Sequence, residues 1–536
     1  MKFDKKILGM VFVFLVLAFT FKVLYNTAFK ADKVESHTSE QSAAPRKIKV
    51  YVPYSWWNKK DWGNDITSQE LTKITGISLD IETPSSFIEE NSRINLMLAT
   101  NEYPDIMLIE KNGFYKKLIN NNVLLPLDGL IEKYGPDIKK FTTMKYLNTC
   151  REEDNKLYGL PNQYIKNSSG FLTSGQAFAI RKKLYEQLGS PKIDTLEDFY
   201  KYLVKIKQSG IKVDGKNIIP LSVAMPYALF AGAFGSNVVN INDGFYTVKK
   251  DGLVSQILRD PKMKECYRFI NKLFNEKLLD QDELLQTADE GEAKIKSGEV
   301  AVIGHTNAFV FINSANVAIS KVIKDEEFQI IKTPGGPGII NAKQTFINSR
   351  PWDYIVITKS CKDPEKVMKF LNYLSSDVGQ ITSRIGPMGK VWNMVKGKPV
   401  ITKEYIDKLK KDKAGTYAEI GYDKWNWLGD NAYDYVYSEL LTGAERVKQE
   451  KYRKIIEKES WHYPGIDKIV LDLMSPEGIA FSKVKPIFKK YSDMLIMAKD
   501  KNTFEKLYSD AIRDMDEVGL KKVENEINRQ IKLKTK

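Results

Sequence analysis

The sequence predicts an α/β protein with additional carboxyl-terminal helices, and three observations support this prediction. Apolar residues make up 43% of the 536 residues, enough to fill the cores of two or three domains. Strand-like and helix-like patterns alternate between residues 47 and 109. Such a series of strand, helix, strand, helix and strand predicts a parallel sheet with right-handed crossovers. Beyond residue 398 the pattern is mostly helical.

The first predicted strand covers residues 47–52, where apolar and polar side chains alternate as in a half-buried strand. A short helix at 65–75 follows and ends at Gly76, because glycine readily adopts the conformation that terminates a helix. The second strand is predicted at 77–81. These elements form the first half of the predicted sheet.

The next segment predicts a helix, a turn and a buried strand. Ser86 and Glu89 have the spacing of a capping box at a helix start. Asn101 and Pro104 end that helix, since the residue before a proline is pushed out of the α region. The apolar run 106–109 is typical of a strand buried on both faces. Ligands of α/β sheets bind outside the carboxyl ends of such strands.

Later elements are predicted from the same kinds of signal. Capping residues, amphipathic periods and short apolar runs define them. They are a helix from the capping box at Thr195 to about Ser209, a helix at 261–279, strands at 300–303 and 352–358, a helix after Asp363, and a closing helix pair at 504–531.

The charge of the chain is strongly positive but dispersed. Lys and Arg outnumber Asp and Glu by 82 to 68, which gives a net charge of +14. A nucleic-acid-binding protein would gather such charge on one face, interleaved with aromatic residues, and the sequence has no such stretch. The pattern favours a solvated lysine-rich surface. An anionic wall polymer or an acidic ligand is the alternative explanation for the charge.

The sequence offers little to a catalytic or metal site. Cys150, Cys266 and Cys361 are too few and too widely spaced for a zinc cluster or a disulfide scaffold, and buried thiols are expected. Metalloprotease, nucleophile-elbow and phosphate-loop motifs are absent from the sequence. Residues 240–244 resemble a calcium loop faintly, with the wrong ligand spacing. We expect no enzyme activity and no cofactor, with calcium as the weak alternative.

Residues 1–29 predict a signal peptide or an amino-terminal membrane anchor. Three lysines precede fifteen uncharged residues at 7–21. If Lys22 snorkels, residues 7–29 can span a bilayer of ~30 Å. The lysines remain inside, so everything after the apolar run is exported. Residues 30–46 are polar and predict a tether, which places the protein at the extracellular face of the membrane.

Several segments resemble, in the same order, those of extracellular solute-binding proteins of ABC sugar importers. The resemblance is to the large subgroup of family 1 that includes alginate-oligosaccharide-binding proteins. It departs at Lys183 and Leu184, where an Asp-Trp pair is common, and lacks an acidic residue within 386–389. The matching segments are Ala-Thr-Asn-Glu-Tyr-Pro-Asp-Ile at 99–106, Leu-Pro-Leu-Asp at 125–128, Lys-Leu-Tyr-Gly-Leu-Pro at 156–161, Ile-Arg-Lys at 180–182, Gly-Glu-Val-Ala at 298–301, Gly-Pro-Met-Gly at 386–389 and the helix pair at 504–531.

The resemblance covers roughly residues 47–531 and implies a two-lobed periplasmic-binding-protein-like fold of type II. Lobe 1 would take 47–165 and 340–395, and lobe 2 would take 166–339 and 396–536. The implied function is that of a monomeric receptor that closes its lobes around a carbohydrate and delivers it to ABC transporter permease subunits. A receptor for peptides or signalling on this fold, or an exported wall-polysaccharide enzyme, is the alternative.

A sugar ring is held by a flat aromatic ring on its apolar face and by polar groups around its hydroxyl rim. Tryptophans in polar loops and amides or carboxylates beside strand ends are therefore the candidates. For each tryptophan the alternative is burial in a core, and for each polar residue it is a bond to its own turn. The predicted ligand-binding residues are Trp56, Trp57, Asn101, Glu102, Asn162, His305, Asn307, Trp352, Trp425 and Trp427.

Overall fold

The structure is a computed structural model. The chain divides into residues 1–46 and a unit formed by residues 47–536. The predicted signal or anchor segment at 1–29 and most of the predicted tether lie outside the described residues. In the part that is described, no helix is both long and apolar enough to cross a membrane. The described residues are 44–55, 57, 61–162, 175–346, 351–428, 443–463, 466 and 469–534.

The strands and helices of the described residues alternate along the first half of the unit, and helices dominate its end. The strands are β1 Arg46–Tyr51, β2 Ile77–Glu82, β3 Ile106–Ile109, β4 Leu160–Asn162, β5 Ala177–Arg181, β6 Lys212–Val213, β7 Lys216–Asn217, β8 Ile219–Val223, β9 Val238–Ile241, β10 Gly244–Val248, β11 Val254–Gln256, β12 Val300–His305, β13 Phe328–Ile331, β14 Thr345–Phe346, β15 Asp353–Ile357, β16 Trp392–Val395, β17 Lys398–Ile401 and β18 Ser460–Trp461. The α-helices are Ile66–Thr75, Phe87–Thr100, Gly113–Asn120, Asp128–Tyr134, Pro136–Thr142, Met144–Thr149, Lys182–Gln187, Leu196–Gln208, Pro226–Phe230, Pro261–Asn275, Ala288–Lys296, Ala308–Val322, Pro364–Ser375, Asp377–Ile385, Lys403–Lys411, Lys413–Ile420, Gly443–Glu459, Pro476–Met497, Lys501–Glu517 and Leu520–Lys534.

The first sheet has the strand order β2-β1-β3-β15-β4. β1 and β3 are parallel, as the alternating pattern predicted, whereas β15 runs antiparallel to both of its neighbours. The carboxyl ends of β1, β3 and β4 therefore meet the start of β15 at one edge, which we call the carboxyl edge of the first sheet. This edge collects residues from four separate parts of the chain.

The second sheet has the order β13-β5-β12-β8. β8 and β12 are parallel, and β5 is antiparallel to β12 and β13. Its core continues into the carboxyl-terminal helices, where Tyr267 of helix Pro261–Asn275 and Leu495 of helix Pro476–Met497 are both fully buried. The Tyr267 hydroxyl shares a 2.8 Å hydrogen bond with the Ser492 hydroxyl. The predicted carboxyl-terminal helices are therefore part of this second layer.

Helix ends follow the predicted signals closely. Thr195 forms a complete capping box with Asp198, and Gly76 ends its helix with φ = 64°. Ser86 accepts a bond from the Glu89 backbone, as predicted, but the Glu89 carboxylate accepts from the backbone of Ser85 at 2.7 Å. The cap therefore extends one residue further towards the amino terminus than the motif predicts.

The prediction assigned residues 396–536 to lobe 2, but the structure places residues 403–428 with the first sheet. Trp425 is fully buried in the core of the first sheet. Its indole N–H donates to the Asp65 carboxylate, at 3.0 and 2.9 Å from the two oxygens. Thr67 donates to the carbonyl of Ile420. Helix Gly443–Glu459 packs Ile456 against the second sheet.

The predicted return of the chain to lobe 1 at residue 340 also differs from the structure. The Gln344 side chain donates to the carbonyl of Ala228, and the Lys343 ammonium donates to the carbonyl of Lys458, so this stretch lies with the second sheet. Hydrophobic periodicity defines a helix or strand but not the sheet against which it packs, and both boundaries depend on such long-range contacts.

We expect Asp65→Ala to lower the free energy of unfolding by about 2–4 kcal/mol. Asp65 caps helix Ile66–Thr75 and accepts the buried Trp425 N–H, so the variant leaves a buried donor without a partner. Asp500 is the matched control, since it is an exposed cap of helix Lys501–Glu517, and Asp500→Ala should cost about 1 kcal/mol. Urea denaturation measures both values, and equal losses would contradict this role of Asp65.

Candidate functional site

Three aromatic side chains meet at the carboxyl edge of the first sheet. The rings of Tyr54 and Trp352 are stacked with centroids 4.6 Å apart. The Trp427 ring stands edge-on to that of Trp352, at 5.4 Å. Tyr54 is buried, and both indoles are partly buried against the core of the first sheet. We call Tyr54, Trp352 and Trp427 the aromatic cluster.

Polar groups from three strands fix the positions of these rings. The Tyr54 hydroxyl donates to Asp353 Oδ2 at 3.0 Å, and the Trp352 N–H donates to Glu110 Oε1 at 3.0 Å. The Asn162 side-chain amide donates to the carbonyl of Trp427 at 2.9 Å. Asn162 and Asp353 face each other across β4 and β15. Each ring is therefore tied to a different strand end.

Asp353 is fully buried, and this environment disfavours its charged form. Burial raises the pKa of Asp353 to about 8, the nearby Glu110 charge raises it further, and the bond from Tyr54 acts in the opposite direction. At neutral pH this side chain is mostly the neutral acid. Asp353 Oδ1 and Asn162 Oδ1 have no hydrogen-bond partner among the described residues. Unpaired buried polar atoms are uncommon in folded proteins, so these two oxygens mark an unusual spot beside the rings.

The second sheet presents two further predicted residues where β12 ends. The His305 ring is stacked on Phe311 with a centroid distance of 4.1 Å, and its Nδ1 accepts a bond from the Asn307 backbone at 2.9 Å. Burial lowers the pKa of His305 to about 4, so the imidazole is neutral at neutral pH. Asn307 Oδ1 has no partner within the described part of the chain. His305 and Asn307 form a small polar group in the second layer.

The structure separates the other predicted residues from these two groups. Trp57 and Trp425 are fully buried in the core of the first sheet and present no exposed face. Asn101 and Glu102 are exposed, but they precede β3 and therefore lie at the opposite edge of the sheet. Asn101 serves as a left-handed helix cap with φ = 59°. Trp56 lies outside the described residues.

Sequence reasoning missed three residues of the site, namely Tyr54, Glu110 and Asp353. The rule that ligands bind beyond the carboxyl ends of strands points to Tyr54 and Glu110, because they follow β1 and β3 closely. Asp353 begins its strand instead. Finding it requires knowing that β15 is antiparallel, and the sequence gives no direct sign of that direction.

Residues 240–244, which faintly resemble a calcium loop in sequence, form a tight hairpin turn between β9 and β10. Asn242 and Asp243 have φ values of 53° and 65°. The Asp243 carboxylate pairs with the Lys485 ammonium at 3.1 Å. Across the described residues, no group of three or more His, Cys, Asp or Glu side chains is placed to hold a metal ion. The three cysteines are free and buried, as expected.

The chain is similar to proteins of known function. The family model for the bacterial extracellular solute-binding protein matches residues 56–381. A curated relative is the fructooligosaccharide ABC transporter substrate-binding protein FusA of Streptococcus pneumoniae serotype 4 (strain ATCC BAA-334 / TIGR4). It is 25% identical over 272 residues, which cover 48% of this chain and 49% of that protein. The match thus spans about half the length of this curated relative.

Solved structures share the fold over most of the chain. Alginate-binding protein AlgQ2 without calcium ion has a TM-score of 0.67 at 16% identity, covering 92% of this chain and 100% of that chain. The FusA EF-hand mutant of S. pneumoniae in complex with fructo-nystose has a TM-score of 0.68 at 16% identity, covering 91% and 99%. A solute-binding protein from Bifidobacterium longum infantis ATCC 15697 has a TM-score of 0.66 at 16% identity, covering 92% and 100%. These similarities confirm the predicted fold class.

We expect Asp353→Asn to flatten the pH dependence of stability. Between about pH 4 and about pH 8 the folded chain holds a proton on Asp353 that the unfolded chain has released. This group therefore costs the wild type on the order of 1 kcal/mol of stability per pH unit as pH rises through that range, with no further cost above it.

Urea unfolding at a series of pH values measures this effect as the difference between variant and wild type. Asp80→Asn, at an exposed position of β2, is the control and should leave the pH profile unchanged. If the profiles of wild type and Asp353→Asn are parallel, Asp353 is ionised in the folded protein and our description of the site is wrong.

Proposed function

Because the chain belongs to the bacterial extracellular solute-binding protein family, we propose that it captures an oligosaccharide outside the cell and delivers it to an ABC importer. The observation that carries this proposal is the aromatic cluster, with two partly buried indoles beside buried oxygens that have no partner among the described residues. Proteins with this fold include binding proteins for fructooligosaccharides and alginate. Membership of this family supports export and a binding role rather than catalysis.

The cluster has the chemistry of a sugar subsite. Trp352 and Trp427 offer apolar ring faces against which the C–H groups of a pyranose or furanose ring can pack. Asn162 and Asp353 each provide an oxygen that can accept a bond from a sugar hydroxyl, and the neutral acid of Asp353 can also donate. Stacking supplies affinity, and the hydrogen bonds supply orientation.

The local charge favours a neutral sugar over a uronate. The Glu110 carboxylate accepts the Trp352 N–H beside the cluster, and a ligand carboxylate next to it would be repelled, while the neutral Asp353 offers an anion no compensating charge. His305 is neutral at neutral pH and gives an anion no compensating charge.

We propose that hinge closure completes the site. The aromatic cluster belongs to the first sheet, and His305 with Asn307 belongs to the second, so a ligand held by both would stabilise the closed state. The permease subunits would recognise that closed state. In this proposal the receptor is a monomer, and residues 1–29 tether it to the extracellular face of the membrane unless they are cleaved.

Trp352→Ala and Trp427→Ala should each weaken oligosaccharide binding about tenfold, since each removes one stacking face worth roughly 1 kcal/mol and its buried area. Isothermal titration calorimetry against the best ligand from a neutral glycan panel measures the loss. Tyr417→Ala is the control, because Tyr417 stacks on Tyr422 in a separate cluster.

Unchanged affinity in both tryptophan variants would exclude the aromatic cluster as the binding site. If the folded protein bound no member of the glycan panel, the oligosaccharide proposal itself would fail. Binding of peptides from a parallel panel would then support the receptor alternative.

We expect the affinity for the preferred ligand to stay within about twofold when salt is raised from low to high concentration, because a neutral ligand makes no screened ionic contact. The same titration repeated at several ionic strengths is the measurement. Affinity that falls steeply with salt would indicate an acidic glycan and would overturn our choice of a neutral ligand.

A further inference from the structure

The hairpin formed by β16 and β17 exposes apolar side chains to solvent. Every residue from 393 to 398 is exposed. Met394, Val395 and Val400 keep 44%, 49% and 46% of their surface accessible. Lys396 and Gly397 form the tight turn at the tip, with φ values of 51° and 76°. Such grouped apolar exposure marks an interaction surface more often than isolated exposed residues do.

The base of the hairpin is held firmly. Trp392 is fully buried, and its indole N–H donates to the carbonyl of Gly386 at 2.8 Å. The backbone N–H of Thr402 donates to the carbonyl of Val391 at 2.9 Å. Trp392 packs with Ile385 and Tyr405 in a small core of its own. The exposed tip is therefore presented by a rigid support.

The hairpin is also purely cationic. Residues 386–402 contain three lysines, Lys390, Lys396 and Lys398, and no Asp or Glu. Lys390 and Lys396 make no ion pair with any described residue. Lys408 in the next helix differs, because it pairs with Glu419 at 2.8 Å. The charges of Lys390 and Lys396 are therefore left for an external anion.

We propose that residues 388–400, the cationic hairpin, bind the surface of a bilayer that contains anionic phospholipid. Aliphatic side chains beside lysines suit the boundary between headgroups and acyl chains, where the apolar groups enter and the ammonium groups contact phosphates. Protein interfaces are enriched in aromatic residues, Met and Arg and depleted of Lys, whereas the hairpin carries lysines and has neither an Arg nor an exposed aromatic residue. The composition thus favours a lipid surface over a protein partner.

The contact would add to the predicted amino-terminal anchor. Each lysine near an anionic surface contributes about a fivefold increase in affinity, so the hairpin alone binds weakly and reversibly. Together with a second attachment, such a contact sets the orientation of the receptor on the membrane.

An environment-sensitive fluorophore on the full chain carrying Val395→Cys tests the proposal. The three native thiols are buried, so labelling is selective for the new one. Vesicles of phosphatidylcholine with phosphatidylglycerol should shift the emission to shorter wavelength, whereas pure phosphatidylcholine should not. High salt should reverse the shift. The control position is Val447→Cys, an exposed valine in helix Gly443–Glu459, which should report no shift.

Adding Lys390→Gln and Lys396→Gln together should reduce the apparent affinity of the labelled tip for anionic vesicles about 25-fold, with sugar affinity unchanged. No shift at position 395, an equal shift at position 447 or an equal response to neutral vesicles would overturn the proposal. A silent probe combined with lower sugar uptake in the double-glutamine variant would also overturn it, in favour of docking on the permease.

Discussion

The first layer of the protein depends on the insertion of β15 between β3 and β4. This strand is antiparallel to both neighbours and arrives from a distant part of the chain. Its first residue, Asp353, accepts the Tyr54 hydroxyl, and the preceding Trp352 stacks on the Tyr54 ring. The same pairing therefore completes the sheet and assembles the aromatic cluster. Fold and site are not separable at this edge.

Asp353 is buried at that edge, and its burial determines its protonation state. A charged carboxylate without full hydrogen bonding is expensive in a protein interior, so Asp353 keeps its proton instead. A neutral acid can donate as well as accept, which matches the mixed character of sugar hydroxyls. A protein can thus be strongly basic overall and still be suited to an uncharged ligand.

Local signals in the sequence identified most of the individual elements and part of the site. The strand Ile106–Ile109, the box at Thr195 and the closing helices were predicted because each is defined by short-range chemistry. Trp352, Trp427 and Asn162 were chosen as ligand-binding candidates, and the structure brings these three together.

Long-range placement was harder to predict. Trp425 was predicted to stack on a ligand from a loop. Its indole N–H instead donates to a carboxylate 360 positions earlier, and nothing in the sequence near residue 425 reveals that partner. Asn101 and Glu102 were chosen because they stand next to a buried strand. They precede that strand rather than follow it, and this difference places them at the wrong edge of the sheet.

The distance along the chain between paired residues affects how the protein folds. The hydrogen-bond partner of Tyr54 lies 299 residues later in the chain, and that of Asp65 lies 360 residues later. Closing such large loops is slow, because the chain must lose the entropy of the long loop before these non-local contacts can form. The first layer cannot be completed until most of the polypeptide has been synthesised. For an exported protein this delay is useful, since the chain stays unfolded long enough to be threaded across a membrane.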